Sequence, residues 1–457
     1  MKNKNDPFKK LIRSLLSIVL VSLETLVFAF VWIKEYNADI VVPFVEKGNW
    51  FFYLVYIILM FIFLSSFDGL KFGQYRRTNL IISQLLASLA TTFIVYLQIV
   101  LLSAKFVSPL PLLWMVVVDA VIVAAVTFTG NFLLAKLFPP RKTLLIYDSY
   151  PPEAFLEKAT SRKDKFKIGQ TVHVSIGHEK LTELVSLYDC VIIYDVHSEK
   201  RNKILKICFE AGVRTYTTTK VSDILVRGAE SLHIFDTPLL LYRNFGLTAE
   251  QRFIKRTIDI VISLLMIIIT SPFMLLSALA IKLYDGGPVF FRQARCTIGG
   301  KVFRIHKFRS MIVDAEKDGA PHPAEKEDPR ITPVGKFLRK SRLDELPQLF
   351  DILSGNMSLV GPRPERIEHC ELYSQEIPEF SYRLKVRGGL TGYAQLYGKY
   401  NTTPYDKLQL DLMYIQNYSL FLDIKLLLMT IKIMFMKEST EGFTEEKSHQ
   451  ITVDSQK

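Results

Sequence analysis

The sequence predicts a membrane protein in three parts: an N-terminal four-helix transmembrane bundle, a Rossmann-like α/β middle domain, and a C-terminal α/β domain with a re-entrant membrane helix. Three observations predict it. Four long apolar stretches follow one another at the start of the chain. Strand-like and helix-like runs then alternate from Lys142 to about Asn244. A further uncharged stretch, Ile260 to Ile281, opens the last part and is interrupted near its middle by Ser271-Pro272. The boundaries read as 1–140, 141–245 and 246–437, with the re-entrant helix over 257–283 and a polar, disordered tail over 438–457.

The apolar stretches run roughly from Leu15 to Ile33, Trp50 to Ser66, Ile81 to Leu102 and Leu112 to Leu134. Each approaches or exceeds the ~20 residues that cross a bilayer core. The first lacks a small-residue cleavage site and three more follow it, so it is no cleaved signal. Cations cluster before the first stretch (Lys2, Lys4, Lys9, Lys10, Arg13), between the second and third (Lys71, Arg76, Arg77) and after the fourth (Lys136, Arg141, Lys142). The positive-inside rule then puts both ends of the bundle in the cytosol. Glu24 and Asp119 lie inside spans, where facing the bundle interior and pairing with polar side chains accounts for them.

Composition agrees. The 457 residues suffice for two or three domains, and 49% of them are hydrophobic. A formal net charge of +12 suits nucleic acid or an anionic membrane surface. No zinc finger, RNA-binding aromatic signature or DNA-reading helix stands out, so the expected partner is the lipid bilayer and not nucleic acid. Cys190, Cys208, Cys296 and Cys370 lack metal-ligand spacing and read as reduced structural residues facing the cytosol.

In the middle part Leu144 to Tyr147, Thr171 to Ser175, Val191 to Tyr194, Arg214 to Thr218 and Leu232 to Phe235 read as strands. Helices near Glu153, Glu179, Lys203 and Val221 separate them, the pattern of a doubly wound sheet. After the first strand comes Asp148-Ser149-Tyr150-Pro151-Pro152. No glycine there lets a pyrophosphate approach the backbone, so the domain reads as structural or regulatory.

Ile260 to Ile281 is long enough to span. Pro272 removes a backbone donor near its midpoint, and both flanks are basic: Arg252, Lys255 and Arg256 before it, Lys282, Arg292 and Arg295 after it. A helix that enters, breaks and returns on one face satisfies both facts; a proline-kinked span is the alternative. Beyond it, Asp285 to Gln293 reads as a turn into a strand and Lys301 to His306 as its hairpin partner. Asp314 to Pro333 reads as a flexible loop. Asp411 to Lys432 mixes aromatic, apolar and basic residues, suiting either the membrane interface or the core.

Between Ser341 and Pro364 lies the chemical centre. Pro347 and Gly355 bracket a short helix, about Glu345 to Ser354, with Leu346, Phe350 and Leu353 expected on its buried stripe. Asp344 and Glu345 stand at its start, where unpaired N–H groups favour negative charge. An N-cap Asp followed by a first-turn Glu is common. The surroundings argue for more. Arg339, Lys340 and Arg342 precede the pair, Lys307 and Arg309 lie upstream, and Arg363 is held between two prolines in Gly361-Pro362-Arg363-Pro364. Two carboxylates among several cations read as a phosphoryl-transfer site, one carboxylate as nucleophile and the other as metal ligand.

Four segments carry a resemblance: Lys307-Phe308-Arg309-Ser310-Met311, Leu343-Asp344-Glu345-Leu346-Pro347-Gln348, Met357-Ser358-Leu359-Val360-Gly361-Pro362-Arg363-Pro364 and Gly389-Leu390-Thr391-Gly392-Tyr393-Ala394-Gln395. In this order they resemble the bacterial sugar transferase family, the monotopic polyprenyl-phosphate hexose-1-phosphate transferases, in its long form, over about Lys255 to Lys437. The resemblance implies transfer of a sugar-1-phosphate from a UDP-sugar to undecaprenyl (polyprenyl) phosphate, with UMP released, at the start of exopolysaccharide, capsule or O-antigen assembly. It implies Asp344 as the nucleophile that carries the phosphosugar and Glu345 as the ligand of Mg²⁺. Lys307, Arg309, Arg339 and Arg363 would bind the substrate phosphates. It also implies a re-entrant helix with its break at Ser271-Pro272, and an inner-membrane protein whose catalytic domain faces the cytoplasm. A homodimer would suit this organisation. Cys296-Thr297-Ile298 departs from the family's usual valine-glycine and bears only on a hairpin turn. A processive membrane glycosyltransferase would want a metal-binding Asp-x-Asp, which is not found on the cytosolic side. A non-catalytic sensor built from the bundle and a Rossmann ligand domain would leave the C-terminal motifs accidental.

Overall fold

The computed structural model describes residues 8–160, 162, 164–242, 246–313, 315, 328–398 and 402–435. The expected tail and most of the expected loop from Asp314 lie outside them. The chain divides into two compact units, Met1–Thr219 and Lys220–Lys457.

The first unit begins with four long apolar helices, α1 (Lys9–Val31, continued by a π-turn over Trp32–Tyr36), α2 (Lys47–Ser66), α3 (Arg77–Ser103) and α4 (Leu110–Leu137). All four are long and apolar enough to cross a membrane. Each packs on its neighbour in the chain, and α1 also meets α4. Their outward faces carry exposed Leu, Ile, Val and Phe, whereas Gln84, Ser88, Thr91 and Thr127 are buried between them. Such a distribution is inverted relative to a soluble protein and is stable only in hydrocarbon. Glu24 and Asp119 are both fully buried. Ser88 Oγ donates to Asp119 Oδ2 at 2.9 Å, as expected, but neither Glu24 oxygen has a hydrogen-bond partner among the described residues.

A parallel sheet follows: β1 (Arg141–Tyr147), α5 (Glu153–Thr160), β2 (Phe166–His173), α6 (His178–Ser186), β3 (Cys190–Tyr194), α7 (Ser198–Glu210) and β4 (Arg214–Thr217), in the order β2-β1-β3-β4. Leu144, Ile146, Val191 and Ile193 fill its core with Ile204 and Ile207 of α7. Strand order reverses between β1 and β3, the place where open α/β sheets bind ligands at the carboxyl ends of their strands. Here Asp148 occupies it, bonded to His197 Nδ1 at 3.0 Å and Lys200 Nζ at 3.1 Å. A carboxylate in that position repels phosphate, which agrees with the missing glycine fingerprint.

The expected fifth strand does not join the sheet. It lies in β5 (Glu230–Ile234), paired antiparallel with β6 (Thr237–Leu241) as an exposed hairpin in the second unit. The sheet ends at β4 because α8 (Val221–Arg227) buries Val221 and Ile224 in the core of the second unit instead.

After this hairpin the second unit continues with α9 (Ala249–Asp285), capped by reciprocal Thr248 and Gln251 bonds. Where the sequence suggests a break at Ser271-Pro272, helical structure continues through it. Pro272 cannot donate to the carbonyl four residues back, and Ser271 Oγ donates to that carbonyl, Ile268 O, at 2.9 Å. The hairpin of β7 (Phe290–Cys296) and β8 (Val302–Phe308) follows as expected, then α10 (Pro333–Ser341), α11 (Gln348–Leu353) and β9 (Met357–Val360). α12 (Ile367–Glu376) leads to β10 (Gly388–Thr391), which pairs parallel with β9, and α13 (Tyr393–Tyr397) follows. The glycine-rich segment Gly388-Gly389-Leu390-Thr391 forms this strand. A Cβ on Gly389 would lie 2.1 Å from Gly361 N, so these glycines let two backbones touch. The stretch Asp411 to Lys432 is divided between α14 (Pro404–Gln416) and α15 (Leu420–Met434), the latter capped by Ser419 Oγ. One face of α15 joins the core through Leu426 and Met429, while Phe421, Ile424 and Ile431 stay exposed.

Candidate active site

Three elements converge on the acidic pair. α10 starts at Thr332, whose Oγ1 accepts from Gly335 N–H, and ends at Arg342 in the left-handed region at φ 59°. That reversal feeds a single 3₁₀ turn, Leu343–Glu345, which carries both carboxylates. Pro347 then separates the turn from α11, so the helix begins at Gln348 rather than at Glu345. Its phase changes accordingly. Gln348, Leu349, Asp351 and Ile352 are buried, whereas Phe350, expected inside, is exposed. Fully burying Ile352 contributes about 2 kcal/mol. Gly355, at φ +85°, stops the helix as expected.

Arg256 of α9 caps the far end of α11, its guanidinium donating to Ile352 O at 2.5 Å and Leu353 O at 2.7 Å. Asp259 of α9 accepts from Leu359 N–H at 2.9 Å and Ser358 Oγ at 3.1 Å. Lys255 meets Asp423 at 2.5 Å. The other end of α9 is held too: Arg309 of the hairpin binds Asp285 through both carboxylate oxygens, and Phe308 and Leu338 pack on Met274 and Ile281.

The structure therefore divides the expected cations. Lys307 Nζ and an Arg363 amino group each reach Glu345 Oε1 at 2.8 Å. Arg339 Nε donates to Ser310 Oγ at 2.9 Å, and its charge acts on Asp344. Arg309 is directed elsewhere, to Asp285 and to Pro288 O at 2.7 Å, and serves to fasten α9 to the hairpin. Ser271 and Pro272 lie within α9 and are not among the side chains gathered around the pair.

The two carboxylates differ sharply. Burial pushes Glu345 up, but Lys307 and Arg363 outweigh it and hold the group well below its ordinary value. Lys307 lies below its own ordinary value: its burial and the like charge of Arg363 exceed what Glu345 and Asp344 return. The clamp thus fixes Glu345 as an anion. Asp344 is raised, first by burial and then by the negative charge of Glu345. Its Oδ1 is buried and accepts no hydrogen bond among the described residues. An unpartnered carboxylate oxygen beside a cation-clamped neighbour is a candidate nucleophile.

Several supporting residues escaped the sequence reading. An Arg295 amino group donates to Pro364 O at 3.2 Å and Arg383 donates to Arg363 O at 2.9 Å, bracing the proline-flanked loop from both sides. Buried Gln348, in the first turn of α11, has an amide nitrogen without a partner among the described residues. Only Gln348 stood within a recognisable motif.

Residues 250–437 match the bacterial sugar transferase family. The chain is 43% identical over 183 residues to a UDP-glucose:undecaprenyl-phosphate glucose-1-phosphate transferase of Caulobacter vibrioides, covering 39% of this chain and 68% of that protein. This chain belongs to the bacterial sugar transferase family. Two other members show the same likeness. One is a UDP-N-acetylgalactosamine-undecaprenyl-phosphate N-acetylgalactosaminephosphotransferase of Aeromonas hydrophila, 40% identical over 50% of this chain and 54% of that one. The other is the UDP-glucose:undecaprenyl-phosphate glucose-1-phosphate transferase of Klebsiella pneumoniae, 37% identical over 55% and 53%. The matched part spans about half the length of these last two relatives. Family motifs and matched residues coincide with the second unit's core, so the acidic pair lies within the shared part.

Removing the clamp has two expected effects. Glu345→Gln leaves Lys307 and Arg363 without a carboxylate, which costs about 2 kcal/mol, less than a fully buried pair because Arg363 is partly exposed. Because Glu345 is depressed in the fold, that stability is present above the ordinary carboxylate value and is lost as pH falls through the folded value. Thermal unfolding of both proteins in detergent at pH 7 and pH 4 should show a gap that narrows in acid. Equal midpoints at pH 7 would rule the clamp out as a stabilising contact.

Proposed function

We propose that the protein transfers a sugar-1-phosphate from a UDP-sugar to undecaprenyl phosphate and releases UMP. The observation that carries this reading is the buried, unpartnered Asp344 Oδ1 beside a cation-clamped Glu345. A carboxylate oxygen of Asp344 attacks the β-phosphorus, and the bond from that phosphorus to the bridging oxygen breaks, so UMP leaves with the bond's electron pair. An oxygen of the lipid phosphate then attacks the same phosphorus, and the acyl phosphate opens to regenerate the Asp344 carboxylate. Lys307 and Arg363 hold the incoming phosphates as well as Glu345, and Arg339 adds charge at the same edge. Such an enzyme initiates exopolysaccharide, capsule or O-antigen assembly. The relatives named for N-acetylgalactosamine and glucose differ in the sugar, so the hexose is a matter for a substrate panel.

Among the described residues no group of three or more His, Cys, Asp and Glu could hold a metal. Two adjacent carboxylates nevertheless fit Mg²⁺, which commonly takes one or two carboxylates and completes its shell with phosphates and water. Lys307 and Arg363 both bond Oε1 of Glu345 and leave Oε2 for that purpose. The ion would neutralise charge on the diphosphate.

The first four helices form a transmembrane bundle in the inner membrane, with both ends in the cytosol. α9 is re-entrant and the catalytic domain faces the cytoplasm. This is supported by the anchoring of α9: Arg256 and Asp259 near its start and Asp285 at its end bind elements of one domain. A straight crossing of about 30 Å of hydrocarbon would carry those ends to opposite faces. A tag at each terminus, probed from outside intact cells, tests it; labelling of the C-terminal tag would refute re-entry. Mg²⁺-dependent UMP release across UDP-sugars separates this activity from a processive transferase, which releases UDP, and from a sensor, which releases nothing. A homodimer is part of this reading, tested by sizing the protein in lipid discs.

Asp344 must be ionised to attack. Because its pKa is raised by burial and by Glu345, kcat/KM for UMP release should fall as pH drops through a value above the ordinary ~3.9. Glu345→Gln removes one of the two causes and should move that limb to lower pH in whatever activity survives. A limb that does not move would show that the two carboxylates are uncoupled.

A further inference from the structure

The first unit holds a cavity of about 1510 Å³ at the basic end of the bundle, under the amino ends of the sheet strands. Lys9 and Arg13 of α1 and Arg77 of α3 line it from the helices; Arg141, Lys165 and Arg214 line it from β1, the turn before β2, and β4. Two carboxylates share the lining, and both are engaged. Asp164 binds Arg162 at 2.8 Å, and Asp189 accepts the Lys142 N–H at 3.3 Å.

Gathering this much positive charge in one hollow is costly without an anion. Burial and the neighbouring Arg162 hold Lys165 below its ordinary value. Arg13 Nε is shielded from solvent and has no hydrogen-bond partner among the described residues. A bound phosphate would relieve both conditions. The usual ligand site of an open α/β sheet is at the opposite end of its strands, where Asp148 is bonded to His197 and Lys200. This cavity is therefore not a nucleotide pocket inherited from the fold.

Its position and lining indicate where the anion comes from. α3 begins at Arg77 and α4 ends at Leu137, so the cavity starts where the apolar spans stop, the level of lipid phosphates. Leu134, Leu137 and Phe138 line it beside the cations, an apolar wall next to a charged one. We propose that this cavity binds a phosphate-bearing anion, supplied as the headgroup of an anionic membrane lipid, which ties the small α/β domain to the bundle.

The test uses the full-length protein, delipidated in detergent, with thermal unfolding and native mass spectrometry as readouts. Phosphatidylglycerol should raise the midpoint and be retained, and phosphatidylcholine should do neither. Arg13→Gln combined with Arg214→Gln should weaken binding about tenfold or more, since each removes a charge-assisted contact. UMP release should be unchanged. Inorganic pyrophosphate is the second arm: protection by it alone, lost in the same variant, keeps the phosphate site and makes its ligand soluble. Protection by neither probe, or equal protection of wild type and variant, overturns the proposal. Should the double variant not fold, Arg77→Gln and Lys165→Gln, each alone, are judged by the same loss of protection.

Discussion

Asp344→Asn should lower UMP release about 10⁴-fold or more, because a nucleophile is not replaced by its neighbours. The asparagine amide keeps the shape of the side chain and loses the attacking anion. Lys307 and Arg363 keep their bond to Glu345, so the donor should still bind. The loss is therefore expected in kcat, with KM little changed. Stability should move the other way. Asp344 has a raised pKa in the fold, which means that its ionisation disfavours the folded state once pH exceeds the unfolded value of about 3.9. An uncharged asparagine escapes that cost, so the variant's unfolding midpoint at pH 7 should equal or exceed the wild type's. Intact-protein mass spectrometry after brief exposure to donor supplies the complementary reading. Wild type should gain the mass of a phosphosugar, and the variant should not. An adduct on the variant, or turnover within about tenfold of wild type, would assign the nucleophile elsewhere.

The residues legible in the sequence are those whose meaning is local. Asp344, Glu345 and Pro347 are adjacent, and Arg363 stands between two prolines, so type and spacing alone suggest phosphate chemistry. The four apolar helices are legible because twenty apolar residues leave few alternatives. Arg309 shows the opposite case. It stands two residues from Lys307, and strand alternation permits both to approach one site. Its partner, Asp285, comes from the end of α9, and nothing near Arg309 indicates this. The misplaced stripe on α11 has a different origin. A 3₁₀ turn before Pro347 advances the chain differently from an α-turn, so a continuous helical count puts Phe350 inside when it is outside. Leu232 to Phe235 is a strand by composition, but its place depends on α8 having left for another core. Periodicity reports which residues are buried together only while the element that carries them is unbroken.

Arg383→Met should destabilise the catalytic domain by about 3–5 kcal/mol, the range for breaking a buried ion pair from one side. Arg383 side-chain exposure is 2%, and its partner Asp411 is at 1%. It donates to Asp411 Oδ2 from Nε at 2.9 Å and from an amino group at 2.7 Å. The guanidinium also stands 3.5 Å from Glu365, which Lys407 binds as well, and donates to the Arg363 carbonyl. Methionine fills much of the same volume but leaves Asp411 charged, buried and unanswered. Burial already raises Asp411, with Arg383 the main force holding it down, so the variant should take up a proton at higher pH than wild type. The Arg363 carbonyl loses its donor too, and the loop between Pro362 and Pro364 loses one of its two braces. Activity should then fall further than the folded fraction does. Replacing both partners, Arg383→Met with Asp411→Leu, removes the unpaired charge and should recover most of the stability without restoring the brace. Thermal unfolding of the three variants in detergent, alongside UMP release corrected for folded protein, separates the two roles. If the single variant unfolds within about 1 kcal/mol of wild type, the network does not hold the domain together. If the double variant regains full specific activity, the Arg363 loop keeps its position without Arg383, and the brace has no part in catalysis.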